Sequence, residues 1–478
     1  MRAVFDALRR HAAERPGTVA FRDDAGAVTW QELAARVAGL ARRLDDAPQT
    51  IALAVPGGID YVVADLALTL AGKRQVPLPF FFSPEQTGHI LTESAAEAVI
   101  GADAGAFAGS PLMVIPPRAA PVGALPDYPG GAERVIYTSG SSGRPKGVII
   151  GDRQLDASLS ALGRVVGAST RDRHLSVMPL PQLLEQICGI FLPILAGAEC
   201  VLRFDATRAL LGGPLDGLTR AMEEIRPTTS LLTPGILGRW VAALEHAGAI
   251  APSSLRFVAV GGAASPPALI RAAEAAGLPV HEGYGLSECC SVVAMNRPGE
   301  NAPGTVGPVL DGIDLQIVDG EITVAGPTVM DSYLGGAPAP ARWHTGDLGR
   351  LENGRLVVEG RKDALLVTPA GRNISPEWVE ARVNADPRVV SSALTLRSDG
   401  ALVLIVVQAA PVTTAEIAAP LADLPAYARP EALILTDLSE PDLLFPAGTP
   451  NRKVAAALAE RIAAVPLPPL QQTERLAS

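Results

Sequence analysis

Cysteine is scarce, with only Cys188, Cys200, Cys289 and Cys290 in a chain of 478 residues. None of them shows C-x-x-C spacing or a histidine partner at a metal-site interval, and adjacent Cys289 and Cys290 do not suggest a disulfide framework. They read as reduced thiols of a cytoplasmic protein. Excess positive charge is also missing. A formal net charge of −10 argues against a broad basic surface for nucleic acid, while leaving room for a local anion site. Long apolar runs are lacking too: 62–71 and 183–198 are interrupted by Asp65, or by Glu185 and Pro193, and fall short of a membrane span. The N-terminus mixes Asp6 and Glu14 with Arg9, Arg10 and Arg15, which suits an amphipathic first helix and not a secretory signal. No segment repeats at a fixed period.

What is present is globular. Hydrophobic residues make up 48%, and the 47 glycines and 42 prolines are scattered and not gathered in one tract, so disorder is not the default. A chain of this length exceeds one ordinary core, which predicts a large domain plus a smaller one. From residue 28 to 201, short apolar runs such as 51-IALAV-55 and 134-RVIYT-138 alternate with helical patterns such as 31-QELAARVAGLARRL-44. That alternation predicts α/β layers with buried strands. It continues through 228-TTSLLT-233 and 256-RFVAVGG-262 into a strand-rich stretch at 313–326. The large domain is expected over 1–361. A second unit over 362–465 would hold a strand at 364–367, a helix at 376–384 and paired strands at 389–397 and 401–408, leaving 466–478 as a frayed tail.

The densest chemical signal is 137-YTSGSSGRPKG-147, with four aliphatic hydroxyls, three glycines and one lysine behind an apolar strand. Gly140 and Gly143 let backbone N–H groups approach an anion. Thr138, Ser139, Ser141 and Ser142 add donors and Lys146 adds charge, so the segment reads as a phosphate-binding loop. It is not a Walker A loop, because Gly140-x-x-Gly143-x-x-Lys146 lacks the four-residue gap and the G-K-[ST] ending. Taken alone, an ordinary polar turn is the plain alternative.

Together with four later segments in the same order, this loop resembles the adenylate-forming superfamily of acyl-CoA synthetases, luciferases and peptide-synthetase adenylation domains, over about Phe5 to Ile462. The resemblance implies an α/β fold: a large N-terminal domain of layered sheets with a β-rich subdomain, then a small mobile C-terminal α+β domain. In 282-EGYGLSECC-290 it implies an adenine-binding turn of Gly283, Tyr284 and Gly285, with Ser287 in place of the usual threonine and Glu288 holding Mg2+. An aromatic face suits a purine and a hard carboxylate suits magnesium, although the segment alone could be a strand-end turn. In 344-HTGDLGRLENGRL-356 it implies that Asp347 clamps the ribose, since a carboxylate can accept from both hydroxyls of a vicinal diol. T-G-D alone is commonly a turn. Arg361 would reach the ribose, Asp363 would be the hinge and Gly371 would lie beside a thiol channel. In 449-TPNRK-453, Lys453 would enter the site for adenylation; the family usually has glycine where Arg452 stands.

The activity this implies is ATP-dependent conversion of a carboxylic acid to an acyl-adenylate with release of pyrophosphate. Transfer to a thiol, coenzyme A or a phosphopantetheine arm on a separate acyl carrier protein, would follow. ATP and Mg2+ are the expected cofactors, with no nucleic-acid partner. The acid pocket would draw on Leu180, Glu185, Gly262, Ala263, Ala264 and His281, and its small and apolar character suits an acyl chain or aryl ring. The segments 178–198 and 373–377 look nearest to long-chain acyl-CoA synthetases. Glu185 could instead meet an amino group. A third reading, of another class, is a nucleotide-binding regulatory protein without turnover.

Overall fold

A computed structural model describes residues 1–101, 112–138, 145–210, 213–368, 372–386, 388–444 and 449–467. Two large sheets form the N-terminal layers. One has eight strands, ordered Ser291–Met295, Val280–Leu286, Phe257–Val260, Thr229–Leu232, Arg173–Ser176, Glu199–Leu202, Val19–Asp23 and Gly26–Thr29. Its inner pairings are parallel and only the two outermost are antiparallel. The other has six strands, ordered Met113–Ile115, Ala98–Gly101, Thr50–Ala54, Arg74–Pro77, Glu133–Thr138 and Lys146–Gly151. It is parallel up to its last pair, a hairpin that matches Thr138 to Lys146.

The buried strands read as near-continuous apolar runs because helices cover both faces of a parallel sheet. The helix Trp30–Arg43 starts where expected: Thr29 accepts from the Glu32 N–H, and Glu32 returns the bond to Thr29. The first helix, Arg2–Glu14, buries Val4, Phe5, Leu8 and His11, as its amphipathic pattern implies.

The strand-rich stretch forms a four-stranded antiparallel meander, Asp314–Val318, Glu321–Ala325, Arg342–Glu352 and Arg355–Arg361. Beyond it a smaller sheet orders Val389–Leu396, Leu402–Gln408, Ala432–Thr436 and Val465–Pro466. Two helices sandwich this sheet. Val379 and Val383 of Pro376–Val383 pack with Leu404 and Val406, whereas Ala455 and Leu458 of Arg452–Arg461 pack with Val403 and Ile405. Alternate strand residues face opposite sides, so one strand serves both layers.

One local expectation changes, and one apolar run takes an unusual form. The strand expected at 364–367 is a 3-10 turn, Lys362–Ala364, followed by the short strand Leu366–Val367. The apolar segment 183–198 is not one regular helix: Gln186–Phe191 is wound as a π-helix between the α-helical turns Leu183–Glu185 and Leu192–Ala196. A π-turn inside a helix is rare and recurs at functional sites.

Candidate active site

The hairpin ends, Thr138 and Lys146, stand side by side and bracket the glycine-serine loop. Ser139, Gly140, Ser141, Ser142 and Gly143 of that loop lie outside the described residues. The strand leading into it is held from below. Buried Arg134 donates to Gln186 of the π-helix at 2.5 Å and to Thr69 at 3.2 Å, and pairs with Asp65 at 3.3 Å. A guanidinium with this many partners is tolerated in a core because each donor it turns inward finds an acceptor.

Lys146 Nζ lies 5.5 Å from the centroid of the Tyr333 ring, within cation–π range. The Tyr333 hydroxyl in turn donates to Glu288 Oε1 at 2.8 Å. Burial and then the neighbouring Glu288 push the Tyr333 phenol above its ordinary range, so it stays a donor. Lysine, phenol and carboxylate thus form one chain across three sequence segments. Tyr333 had no sequence motif. Its segment reaches the site because Val148 bridges to Tyr333 and Ile149 N–H donates to Ser332 O.

Glu288 sits in the one-turn 3-10 helix Ser287–Cys289, at the end of the strand Val280–Leu286. The following Cys290 and Ser291 both have positive φ, 51° and 83°. For residues with a Cβ this is strained backbone, of the kind that tight surroundings hold at functional sites. Gly285 must be glycine: a side chain there would overlap the Ser291 carbonyl.

A second chain joins the nucleotide candidates. The Tyr284 hydroxyl donates to Asp347 Oδ2 at 2.6 Å, Arg361 Nη1 donates to Asp347 Oδ1 at 3.1 Å, and Arg361 Nε donates to Asp363 at 3.1 Å. Burial raises the Asp347 carboxyl above the usual carboxylate range, while Tyr284 and Arg361 pull the other way. The strand pair Arg342–Glu352 and Arg355–Arg361 sets Asp347 directly opposite Arg361.

Of the residues in these two chains, Tyr284 lines a cavity of about 530 Å3. Thr138, Gly262, Ala263, Gly283, Tyr284 and Ser287 line its polar end, and Thr449 of the C-terminal segment joins them. Its other walls are mainly apolar, with Leu162, Met178, Leu183 and Cys188 above the sheet residues Leu231 and Phe257.

Among the other pocket candidates, Leu180 is core, Ala264 is exposed and neither lines the cavity. His281 lies behind the lining, its ring 4.5 Å from that of Phe257, and burial lowers its pKa to about 4. Glu185 is fully buried behind the wall, 3.8 Å from His174 Nε2, and burial raises its pKa. Gly371 lies outside the described residues. Lys453 is exposed in the first turn of the helix Arg452–Arg461, four residues after Thr449.

Layered, largely parallel sheets with Thr138, Tyr284 and Ser287 at one cavity define an α/β protein whose hydroxyl and aromatic groups suit a nucleotide. The family described as "AMP-binding enzyme" matches residues 8–122 and 132–334, and the chain belongs to that family. It is 30% identical over 431 residues to an isonitrile lipopeptide synthase of Streptomyces coeruleorubidus, covering 82% of this chain and 29% of that protein. It is 31% identical over 286 residues to a 2-succinylbenzoate–CoA ligase of Bacillus licheniformis, covering 55% of this chain and 56% of the relative. The chain therefore spans under a third of the lipopeptide synthase and little more than half of the CoA ligase. In fold it matches an o-succinylbenzoate coenzyme A synthetase of Bacillus subtilis solved with ATP and magnesium, with a TM-score of 0.78 at 23% identity over 94% of this chain and 98% of that one. No helix among the described residues is long and apolar enough to cross a membrane.

Proposed function

We propose that the protein activates a carboxylic acid with ATP, forms an acyl-adenylate with release of pyrophosphate, and passes the acyl group to a thiol. The observation that carries this reading is one cavity lined by Tyr284 of the chain Tyr284–Asp347–Arg361, by Thr138 and Ser287, which neighbour Lys146 and Glu288 of the chain Lys146–Tyr333–Glu288, and by Thr449. A carboxylate is a poor electrophile, and adenylation supplies it with a phosphate leaving group. The protein's task is to hold two anions together in line for attack at the α-phosphorus.

In this reading the loop 139–143 and Lys146 bind the phosphates, Tyr284 stacks on the adenine, and Asp347 accepts from the ribose hydroxyls with Arg361 beside it. Lys453 offsets the charge that gathers as the carboxylate meets the α-phosphate. Glu288 fits a magnesium ligand. One of its oxygens accepts from Tyr333, and among the described residues no group of three or more His, Cys, Asp or Glu forms a ready-made cage. A single carboxylate beside phosphate oxygens is the usual magnesium arrangement. Magnesium bound there would neutralise phosphate charge. The domain boundary falls after Arg361. Rotation about Asp363 would then withdraw Lys453 and admit the thiol past Gly371.

Coenzyme A is the favoured acceptor, as for the CoA-ligase relative. A separate carrier protein is the second reading, favoured by the 82% of this chain that aligns with a lipopeptide synthase. The four free cysteines suit a cytoplasmic setting. Acid-dependent ATP–pyrophosphate exchange over a panel of fatty, aryl and amino acids tests the reading, and exchange with none of them would overturn it. Thioester yield with coenzyme A against a holo-carrier separates the two acceptors.

A further inference from the structure

Two cations in a row open the helix Arg452–Arg461, at the end where the helix dipole is positive and a cation is ordinarily disfavoured. Lys453 is exposed, but Arg452 is committed elsewhere. Its Nη1 donates to Glu380 Oε1 at 2.7 Å, and its Nη2 donates to Glu380 Oε2 at 3.0 Å and to Glu377 Oε1 at 2.7 Å. This is a bidentate fork with a third bond, the geometry in which arginine differs most from lysine.

The partners come from the far side of the small sheet. Glu377 and Glu380 belong to the helix Pro376–Val383, which packs on the opposite face from the helix Arg452–Arg461. The ion pair therefore wraps around the edge strand Val389–Leu396. Glu380, almost fully buried, also accepts the Leu394 N–H of that strand at 2.7 Å, so an edge donor that would otherwise stay open is closed. Glu377 leads in another direction. It accepts from the Ser375 hydroxyl at 3.0 Å, and Ser375 lies against Gly360, where φ is +138° and an added side chain would overlap the serine oxygen. Gly360 is the penultimate residue of the strand Arg355–Arg361, three residues before Asp363.

We infer that Arg452 is the positioning residue of Lys453. Its fork fixes the first turn of the lysine's helix to the helix Pro376–Val383 and, through Glu377 and Ser375, to the strand that leads into the hinge segment. A lysine ammonium rides on a flexible four-carbon stem, so the place it can reach is set by how firmly its backbone is held. The proposal rests on the reading of Lys453 as the adenylation lysine.

The test uses the full chain and the variants Arg452→Met, Arg452→Lys, Glu377→Gln and Lys453→Ala, with an acid that supports exchange in the wild type. Arg452→Met is expected to lower kcat for pyrophosphate exchange by about tenfold to a hundredfold, the scale of a misplaced catalytic group, with KM for the acid unchanged. Thioester formation from supplied acyl-adenylate should keep its wild-type rate. Arg452→Lys should recover part of the loss, and Glu377→Gln should fall between. Loss of both half-reactions in proportion would reduce Arg452 to a purely structural brace. Full exchange in Arg452→Met beside an inert Lys453→Ala would overturn the inference alone, and full exchange in Lys453→Ala would overturn the reading beneath it. Amide hydrogen exchange supplies a readout that needs no turnover. It should rise over 449–458 in Arg452→Met, or in Glu377→Gln should the first variant not fold, with 402–408 still protected; no rise over 449–458 would also overturn the brace.

Discussion

Lys146 and Lys453 belong to two differently built regions of the molecule. Lys146 opens a strand whose hairpin partner is anchored by Arg134, and although exposed it holds its ammonium 5.5 Å from the Tyr333 ring centroid. Lys453 stands exposed on a helix of the small sheet, and the brace holds its neighbour Arg452, not the lysine itself. The first is tied into a six-stranded sheet whose strand Glu133–Thr138 a buried ion network holds. In the proposed reading the second belongs to a unit that turns about Asp363. The proposed reaction, with two half-steps at one cavity, needs one group that stays and one that leaves.

The sharpest way to break this comparison is Lys453→Ala. It is expected to lower pyrophosphate exchange by roughly two to three orders of magnitude, the range for removal of one preorganised charge, while thioester formation from supplied acyl-adenylate continues. Equal loss of both steps would erase the distinction between a fixed and a departing lysine. Lys146→Ala comes next: it should weaken both directions of the adenylation step by about ten- to a hundredfold and raise KM for ATP, read by exchange at varied ATP. Asp347→Ala should raise KM for ATP by about tenfold with a smaller change in kcat, because it loses ribose binding that ground and transition states share.

The smallest expected effect concerns neighbours on one strand. Burial pushes Glu282 up to about 8 and holds His281 down at about 4. With a raised folded pKa, Glu282 contributes stability that is present below about 4.5 and lost as pH rises through about 8. His281, with a lowered folded pKa, contributes stability that is present above about 6.5 and lost as pH falls towards 4. Glu282→Gln should therefore raise Tm by roughly a few degrees at pH 8–9 and leave it nearly unchanged at pH 5, measured by thermal unfolding across pH.

Candidate site groups that lie within one short segment can be picked out from the sequence. Thr138 and Lys146 flank one loop, Tyr284 and Glu288 share one turn, and Asp347 and Arg361 face each other across one hairpin. In each case local geometry and chemistry sit in the same dozen or so residues. Tyr333 was not legible, because a bridge to Val148 brings it to Glu288 and no local pattern announces such a bridge. The π-turn at Gln186–Phe191 was equally hidden, since an apolar run reads the same in either winding. Glu185 is the opposite case, a carboxylate for which the sequence left a substrate role and a structural role both open. The fold puts it behind the cavity wall beside His174.

By itself the sequence determined the α/β layering, the order of the motifs and the residue types able to hold phosphate, ribose and a metal-bound oxyanion. Periodicity, turn chemistry and side-chain functional groups are local properties, carried by neighbours along the chain. Only the tertiary structure decided that a phenol joins Lys146 to Glu288, that Thr138, Tyr284 and Ser287 line one cavity, and that Arg452 reaches two glutamates on the far face of a sheet. Those pairings join residues 45 to 187 positions apart, and contacts at such separations are fixed by which surfaces must be buried together, a property of the whole folded chain.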